Sequence, residues 1–151
     1  MLWVKTFFGI LFQTILLGIF LYLPALTLNW SDAFLLLTIH FLMTILASAY
    51  LLIVKPESIE ARMNYDSKTQ PKEDRLATAL MFSAIIVGLS LAPIDIFHLN
   101  LSSSFEGSIK NIGLAIYIIG MLLFMASINA NEFAETTVNI QEERGQKVID
   151  T

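Results

Sequence analysis

The chain has 151 residues, 56% hydrophobic and only 15% charged, with a mean hydropathy of +0.69, a net charge of -4 and no cysteine. Soluble domains carry about 25% charged residues, so this balance excludes a disordered chain and points away from a water-soluble one. The missing thiols exclude a disulfide framework, an iron–sulfur cluster and a thiolate zinc site, and the acidic balance argues against nucleic acid as a partner.

Four apolar stretches reach the roughly 20 residues needed to cross a bilayer. The first runs from Phe7 to Leu28, with Gln13 as its most polar interruption. It is too long for the apolar part of a signal peptide, and no small-x-small cleavage site follows it. Asn29 to Asp32 reads as a tight turn, so the second stretch, Ala33 to Val54, should return antiparallel. Its one titratable group is His40, about seven residues in and so roughly 10 Å deep at 1.5 Å per residue. A polar segment, Lys55 to Arg75, follows with a proline near each end, Pro56 and Pro71. Its basic residues (Lys55, Arg62, Lys68, Lys72, Arg75) are balanced by Glu57, Glu60, Asp66, Glu73 and Asp74, which reads as a solvated loop rather than a lipid-headgroup site.

The third stretch, Leu76 to Phe97, is apolar until Pro93 and Asp95. His98 to Ser108 then forms a turn, and the fourth stretch runs from Ile109 to Ile128. Each must be helical, because hydrocarbon cannot satisfy exposed backbone groups. The expected fold is therefore all-α: a polytopic bundle of four transmembrane helices over residues 1–130. Beyond it, Phe133, Thr137 and Ile140 recur at helical spacing, so the last helix should run on into 131–151 as an amphipathic tail, with Gly145 as its stop.

Lysine and arginine positions predict orientation. With the N-terminus cytoplasmic, the inner side holds Lys5, Lys55, Arg62, Lys68, Lys72, Arg75, Arg144 and Lys147, and the outer side only Lys110. Both termini are therefore expected in the cytoplasm, and Trp3 and Trp30 stand as interfacial anchors at the two ends of the first span.

Ionisable groups in a membrane are candidate sites by default. For His40 the simpler expectation is a neutral imidazole hydrogen-bonded to a neighbouring helix. For Asp95 it is a carboxylate capping a local turn, with His98 near enough in sequence to pair with it. Gly88/Ala92 and Ala126/Ala130 suit close helix packing, and Gln13 suits a bond across an interface. Nucleotide-cradling glycine loops and the H-E-x-x-H zinc motif are absent.

Three patches carry a resemblance. Val138, Ile140, Gln141, Arg144, Gly145 and Val148, preceded by Asn131 and Phe133, resemble the V-x-I-Q-x-x-R-G-H-x-V stretch of isoprenylcysteine carboxyl methyltransferase-like membrane enzymes. Lys55-Pro-Glu-Ser-Ile-Glu-Ala-Arg-Met63, followed by Lys72-Glu-Asp-Arg75, is similar to the family's P-E-L-L-x-E-R-M loop and its later tryptophan-Asp-Arg. Ala92-Pro-Ile-Asp95 sits where members have A-G-L-D.

The resemblance implies methyl transfer from S-adenosylmethionine to a lipophilic acceptor at the cytoplasmic membrane face, a prenyl-cysteine carboxylate in the best-known branch, without a metal. It implies cofactor contacts at Gln141, Gln146, Lys147, Val148 and Ile149, and names no catalytic residue in this chain. Three departures stand out. Gln146 replaces a histidine, Glu73 replaces the loop tryptophan, and the family's Gly-Pro-Tyr and Arg-His-Pro-x-Tyr motifs do not occur before Thr151. On this reading residues 1–151 are the N-terminal portion of a membrane methyltransferase, inactive alone, with its partners being membrane lipids, the acceptor, and a partner chain or C-terminal segment docking on the tail. Two other readings stay open: a non-catalytic membrane interaction subunit, and a small transporter or lipid-binding protein using His40 and Asp95.

Overall fold

A computed structural model describes residues 1–63, 72–101 and 107–130, the side chains of 72–74 excepted. The described residues are helical apart from turns, with no strand among them, and four helices are long and apolar enough to cross a membrane. The protein is an all-α, polytopic membrane protein.

The first helix, α1, spans Leu2–Ala25, or about 36 Å at 1.5 Å per residue, enough for a core of about 30 Å. It starts five residues before the apolar stretch, because Trp3 and Lys5 extend the helix into the interface. Thr6, Ile10, Leu21 and Ala25 are its buried residues, a single helical stripe. The helix ends where Leu26 turns left-handed (φ 53°), its N–H reaching the Leu23 carbonyl. Thr27 Oγ1 then accepts the Asn29 N–H at 3.1 Å, turning the chain back.

The second helix, α2, is Ser31–Val54, with Asp32 in its first turn, where the helix dipole favours a carboxylate. It stops at Lys55 because Pro56 follows: a residue before proline is driven out of the α region, and Lys55 sits at φ -143°, ψ 61°. Proline is well suited to a first helical position, so the chain restarts at once as a short third helix, α3, Pro56–Met63. This corrects the expected solvated loop. Ser58 and Ile59 are buried, and Ile59 joins Leu51 and Leu52 in a cluster against which Leu2 and Ile128 pack.

The fourth helix, α4, covers Lys72–Ile94 and contains Pro93, the largest fully buried side chain. Proline withholds one N–H from the ladder, and the next turn is a π-helical one, Asp95–Leu99, closed by a 2.7 Å bond from the Asn100 N–H to the Asp95 carbonyl. The fifth, α5, is Gly107–Ala130.

Packing contacts place the helices in the order α4–α1–α2–α5: α1 lies between α2 and α4, and α5 rests on α2. Burial falls away at both flanks: 22% of the α1 span is inside the protein, 6% of the α4 span and 0% of the α5 span. Four threonine hydroxyls in the spans are satisfied locally: Thr6, Thr14, Thr38 and Thr44 each donate to the carbonyl four residues back. Contact with a neighbouring helix occurs at Gly18, where a Cβ would stand an ordinary 3.5 Å from Leu37 Cδ1. It does not occur at Gly88, around which a Cβ would meet nothing within 4 Å, and Ala92, Ala126 and Ala130 are exposed. The spacing of small residues marked the wrong contact, since four-residue spacing is common on lipid-facing helix surfaces as well.

Candidate functional site

The polar residues of the described structure gather at three levels. One is the end built from the α2–α3 junction and the last turn of α5. Lys55 is fixed there by its own backbone: its N–H donates to the Leu51 carbonyl at 2.7 Å, and its carbonyl accepts the Ser58 N–H at 3.0 Å. Its ammonium donates to the Asn129 carbonyl at 2.8 Å. Asn129 is the last but one described residue of α5.

The charges of this end are sorted by helix geometry. At about 100° per residue along α3, Ser58, Ile59 and Arg62 fall in one arc, with Glu57 and Glu60 opposite. Ser58 and Ile59 are buried, whereas Glu57 and Glu60 are exposed. The described charges of α3 are thus divided between two faces, Arg62 on one and Glu57 and Glu60 on the other. Arg62 turns Nη2 inward, and the buried Ser58 Oγ and Asn129 Oδ1 have no hydrogen-bond partner among the described residues. Thr6 Oγ1 lies 3.8 Å from Met63 Sδ, tying the end of α3 to α1. Chemically this surface offers an ammonium, a guanidinium, a hydroxyl and an amide beside apolar Leu2, Leu51, Leu52 and Ile128. Those groups hold and orient; none forms a described nucleophile–base pair.

The second level lies within the spans. His40 is buried, and its Nδ1 lies 2.6 Å from the Tyr117 hydroxyl of α5. This is the expected histidine bonded to a neighbouring helix. Its partner escaped the sequence reading, although Tyr117 is the one hydroxyl-bearing aromatic among the aliphatic residues of α5, and both residues lie about two and a half turns into parallel helices.

The third level is the opposite end. Asp95 Oδ1 accepts the Leu101 N–H at 2.8 Å, the local turn cap expected of it. His98 Nε2 reaches across to the Pro24 carbonyl of α1 at 2.7 Å. Trp30 stacks edge-on against Phe97 (5.3 Å) and Tyr22 (6.3 Å), and Lys110 bridges to Asp32 at 2.6 Å. His40 and Asp95 have different partners at different depths. Gln13 is exposed to the surroundings of α1 and makes no bond across an interface among the described residues.

No group of three metal-ligating side chains occurs among the described residues. The expected tail helix and the cofactor positions Gln141, Gln146, Lys147, Val148 and Ile149 lie outside the described residues. No protein-family model matches the chain, and neither does any curated protein or solved structure.

Proposed function

We propose that this chain is the membrane-embedded part of an S-adenosylmethionine-dependent methyltransferase acting on a lipophilic acceptor, with both termini in the cytoplasm. The observation that carries the reading is the bond between Lys55 Nζ and the Asn129 carbonyl. It places the start of one resembling patch, Lys55–Met63, against Asn129, two residues before the sequence of another begins at Asn131. Residues far apart in sequence thereby share one end of the helices, at the membrane boundary where a lipophilic acceptor and a water-soluble cofactor meet. The excess of lysine and arginine at that end supports its cytoplasmic placement.

S-adenosylmethionine supplies an electrophilic methyl carbon on a sulfonium; an acceptor carboxylate takes the methyl as the carbon–sulfur bond breaks to leave a neutral thioether. Such a displacement needs alignment and exclusion of water more than acid–base help. In this chain Gln141 and residues 146–149 would hold the cofactor, and α3 with the ends of α2 and α5 would form the platform beneath it.

The test uses membranes from cells producing the protein from its own gene. Methyl-labelled S-adenosylmethionine is expected to bind them and Gln141→Ala to weaken that binding, whereas purified residues 1–151 alone are expected not to methylate a prenyl-cysteine analogue. Absence of cofactor binding, or unchanged binding in that variant, overturns the reading. Orientation is tested separately on the cysteine-free chain: Glu57→Cys should react with an impermeant maleimide only after permeabilisation, and Leu28→Cys before it.

A further inference from the structure

Gln13 is the twelfth of the 24 residues of α1, so about 17 Å of helix separates it from either end at 1.5 Å per residue. Its side chain is exposed, and it makes no hydrogen bond among the described residues. Other polar side chains of the same helix are satisfied: Thr6, Thr14 and Tyr22 each donate to a protein carbonyl. A primary amide has two donors and an acceptor, and hydrocarbon supplies a partner for none of them. A long lysine stem can snorkel toward the interface, but two methylenes do not carry an amide from the middle of the bilayer to the headgroups. The group that completes Gln13 must be polar and at the same depth. Gly18 meets Leu37 of α2, and five residues at about 100° each turn Gln13 about 140° away from it. On the Gln13 side, Gly9 lies one turn earlier; it is exposed, and a Cβ there meets nothing within 4 Å. Phe12 and Leu16 flank the two, 68% and 39% exposed. A bare stretch of backbone beside the amide admits a second helix close enough for a hydrogen bond, and such bonds with close packing are what associate helices in lipid.

We propose that α1 is a self-association surface: two copies of this chain pair α1 with α1 about a two-fold axis along the membrane normal, and their Gln13 side chains exchange hydrogen bonds. The amide is donor and acceptor at once, so it complements itself. The two-fold axis brings identical residues to identical depth, a match that any other partner would have to supply by a polar group of its own at mid-bilayer. Both copies share one topology, so the paired helices run parallel. The pairing uses a face that α2 and α4 leave exposed, and each copy keeps its own helix contacts. It does not depend on the methyltransferase reading.

The chain has no cysteine, so single thiols can be placed in the full chain and read by disulfide formation in lipid vesicles. Leu16→Cys, on the Gln13 side of α1, should give a disulfide-linked dimer on mild oxidation. Ile15→Cys, about 160° around the helix from Gln13, and Ile116→Cys on α5 should not, although both positions are exposed. Energy transfer between copies labelled through Glu57→Cys, measured over a range of protein-to-lipid ratios, gives the dimerisation constant. Gln13→Leu should weaken it about tenfold, the scale of two polar bonds between helices in lipid, and Gln13→Asn should restore most of it. Gly9→Leu keeps the amide but fills the bare backbone, and should weaken pairing as well. All of these positions are exposed, so the fold of each copy is expected to survive. A chain that stays monomeric at every ratio overturns the proposal, as does a dimer indifferent to Gln13→Leu. Equal disulfide yield from all three thiols, the mark of random collision, overturns it too. If Gln13→Leu instead releases a different protein that copurifies with the wild-type chain, the amide has another partner and self-association falls.

Discussion

The helix pairs α1–α2 and α2–α5 share one helix and are built on opposite principles. In the first, a tight turn makes two helices antiparallel, Gly18 faces Leu37, and Leu21, Ala25 and Ala33 are buried near the turn. In the second, two parallel helices with no short connection are held by three polar bonds, and α5 has no buried residue. Between helices in lipid the hydrophobic effect gives little net attraction, so close packing and polar bonds are the two available means. The protein uses one on each side of α2. Packing suits a permanent hairpin, while polar ties hold α5 at defined heights with little contact area.

The sharpest way to break the first pair is to fill its point of approach. A Cβ at Gly18 would meet Leu37 at 3.5 Å, an ordinary contact, so Gly18→Ala should be tolerated. Gly18→Leu must push the helices apart, at a cost of about 1–3 kcal/mol typical of overpacking. The same change at Gly113 or Gly120, where a Cβ meets nothing within 4 Å, should leave stability unchanged. Unfolding of the chain in mixed micelles measures all three. Equal losses at Gly18 and Gly113 would remove the distinction between the two interfaces.

What could be read in the sequence divides along the same line. Four spans, the hairpin and the all-α class follow from hydrophobic length, because lipid allows the backbone few alternatives. The restart of α3 was equally written in Lys55-Pro56, but the even charge count of the segment masked a helical sorting that only the 100° step reveals. The functions of His40 and Asp95 as a tie and a turn cap matched their simplest readings. Their partners do not follow, because Tyr117 stands out within α5 only once α2 and α5 are known to be neighbours, and no local pattern marks Leu101. Gly18 is not legible for the same reason: which small residue meets a neighbour depends on which face the neighbour occupies, and no single helix encodes that.

The second pair is broken more gently. Tyr117→Phe removes only the hydroxyl that meets His40 Nδ1 at 2.6 Å. Polar bonds between membrane helices are worth about 0.6 kcal/mol on average and at most about 1.7 kcal/mol, because the separated helices find other partners. Tyr117→Phe and His40→Phe should each cost an amount in that range, and the double variant little more than either. The deficit from additivity, measured by a double-mutant cycle, is the energy of the tie. Fully additive losses would show that the two rings stabilise the fold independently and that α5 is held by something else.

The smallest effect belongs to the outermost tie. Lys110 and Asp32 meet at 2.6 Å, but their side chains are 53% and 51% exposed, so solvent screens the pair. Asp32→Asn should therefore cost no more than about 1 kcal/mol, and part of that reflects the lost carboxylate in the first turn of α2. Lys110→Gln separates the two contributions, since it removes the pair and leaves the carboxylate at the helix start. The α2–α5 interface then predicts a graded response to salt. Raising ionic strength to 1 M, where the screening length falls to about 3 Å, should erase the effect of Lys110→Gln and leave that of Tyr117→Phe in place. Salt sensitivity of the Tyr117 variant would mean that water reaches the middle of the α2–α5 seam, and the helices would then line an aqueous cavity rather than a lipid-filled gap.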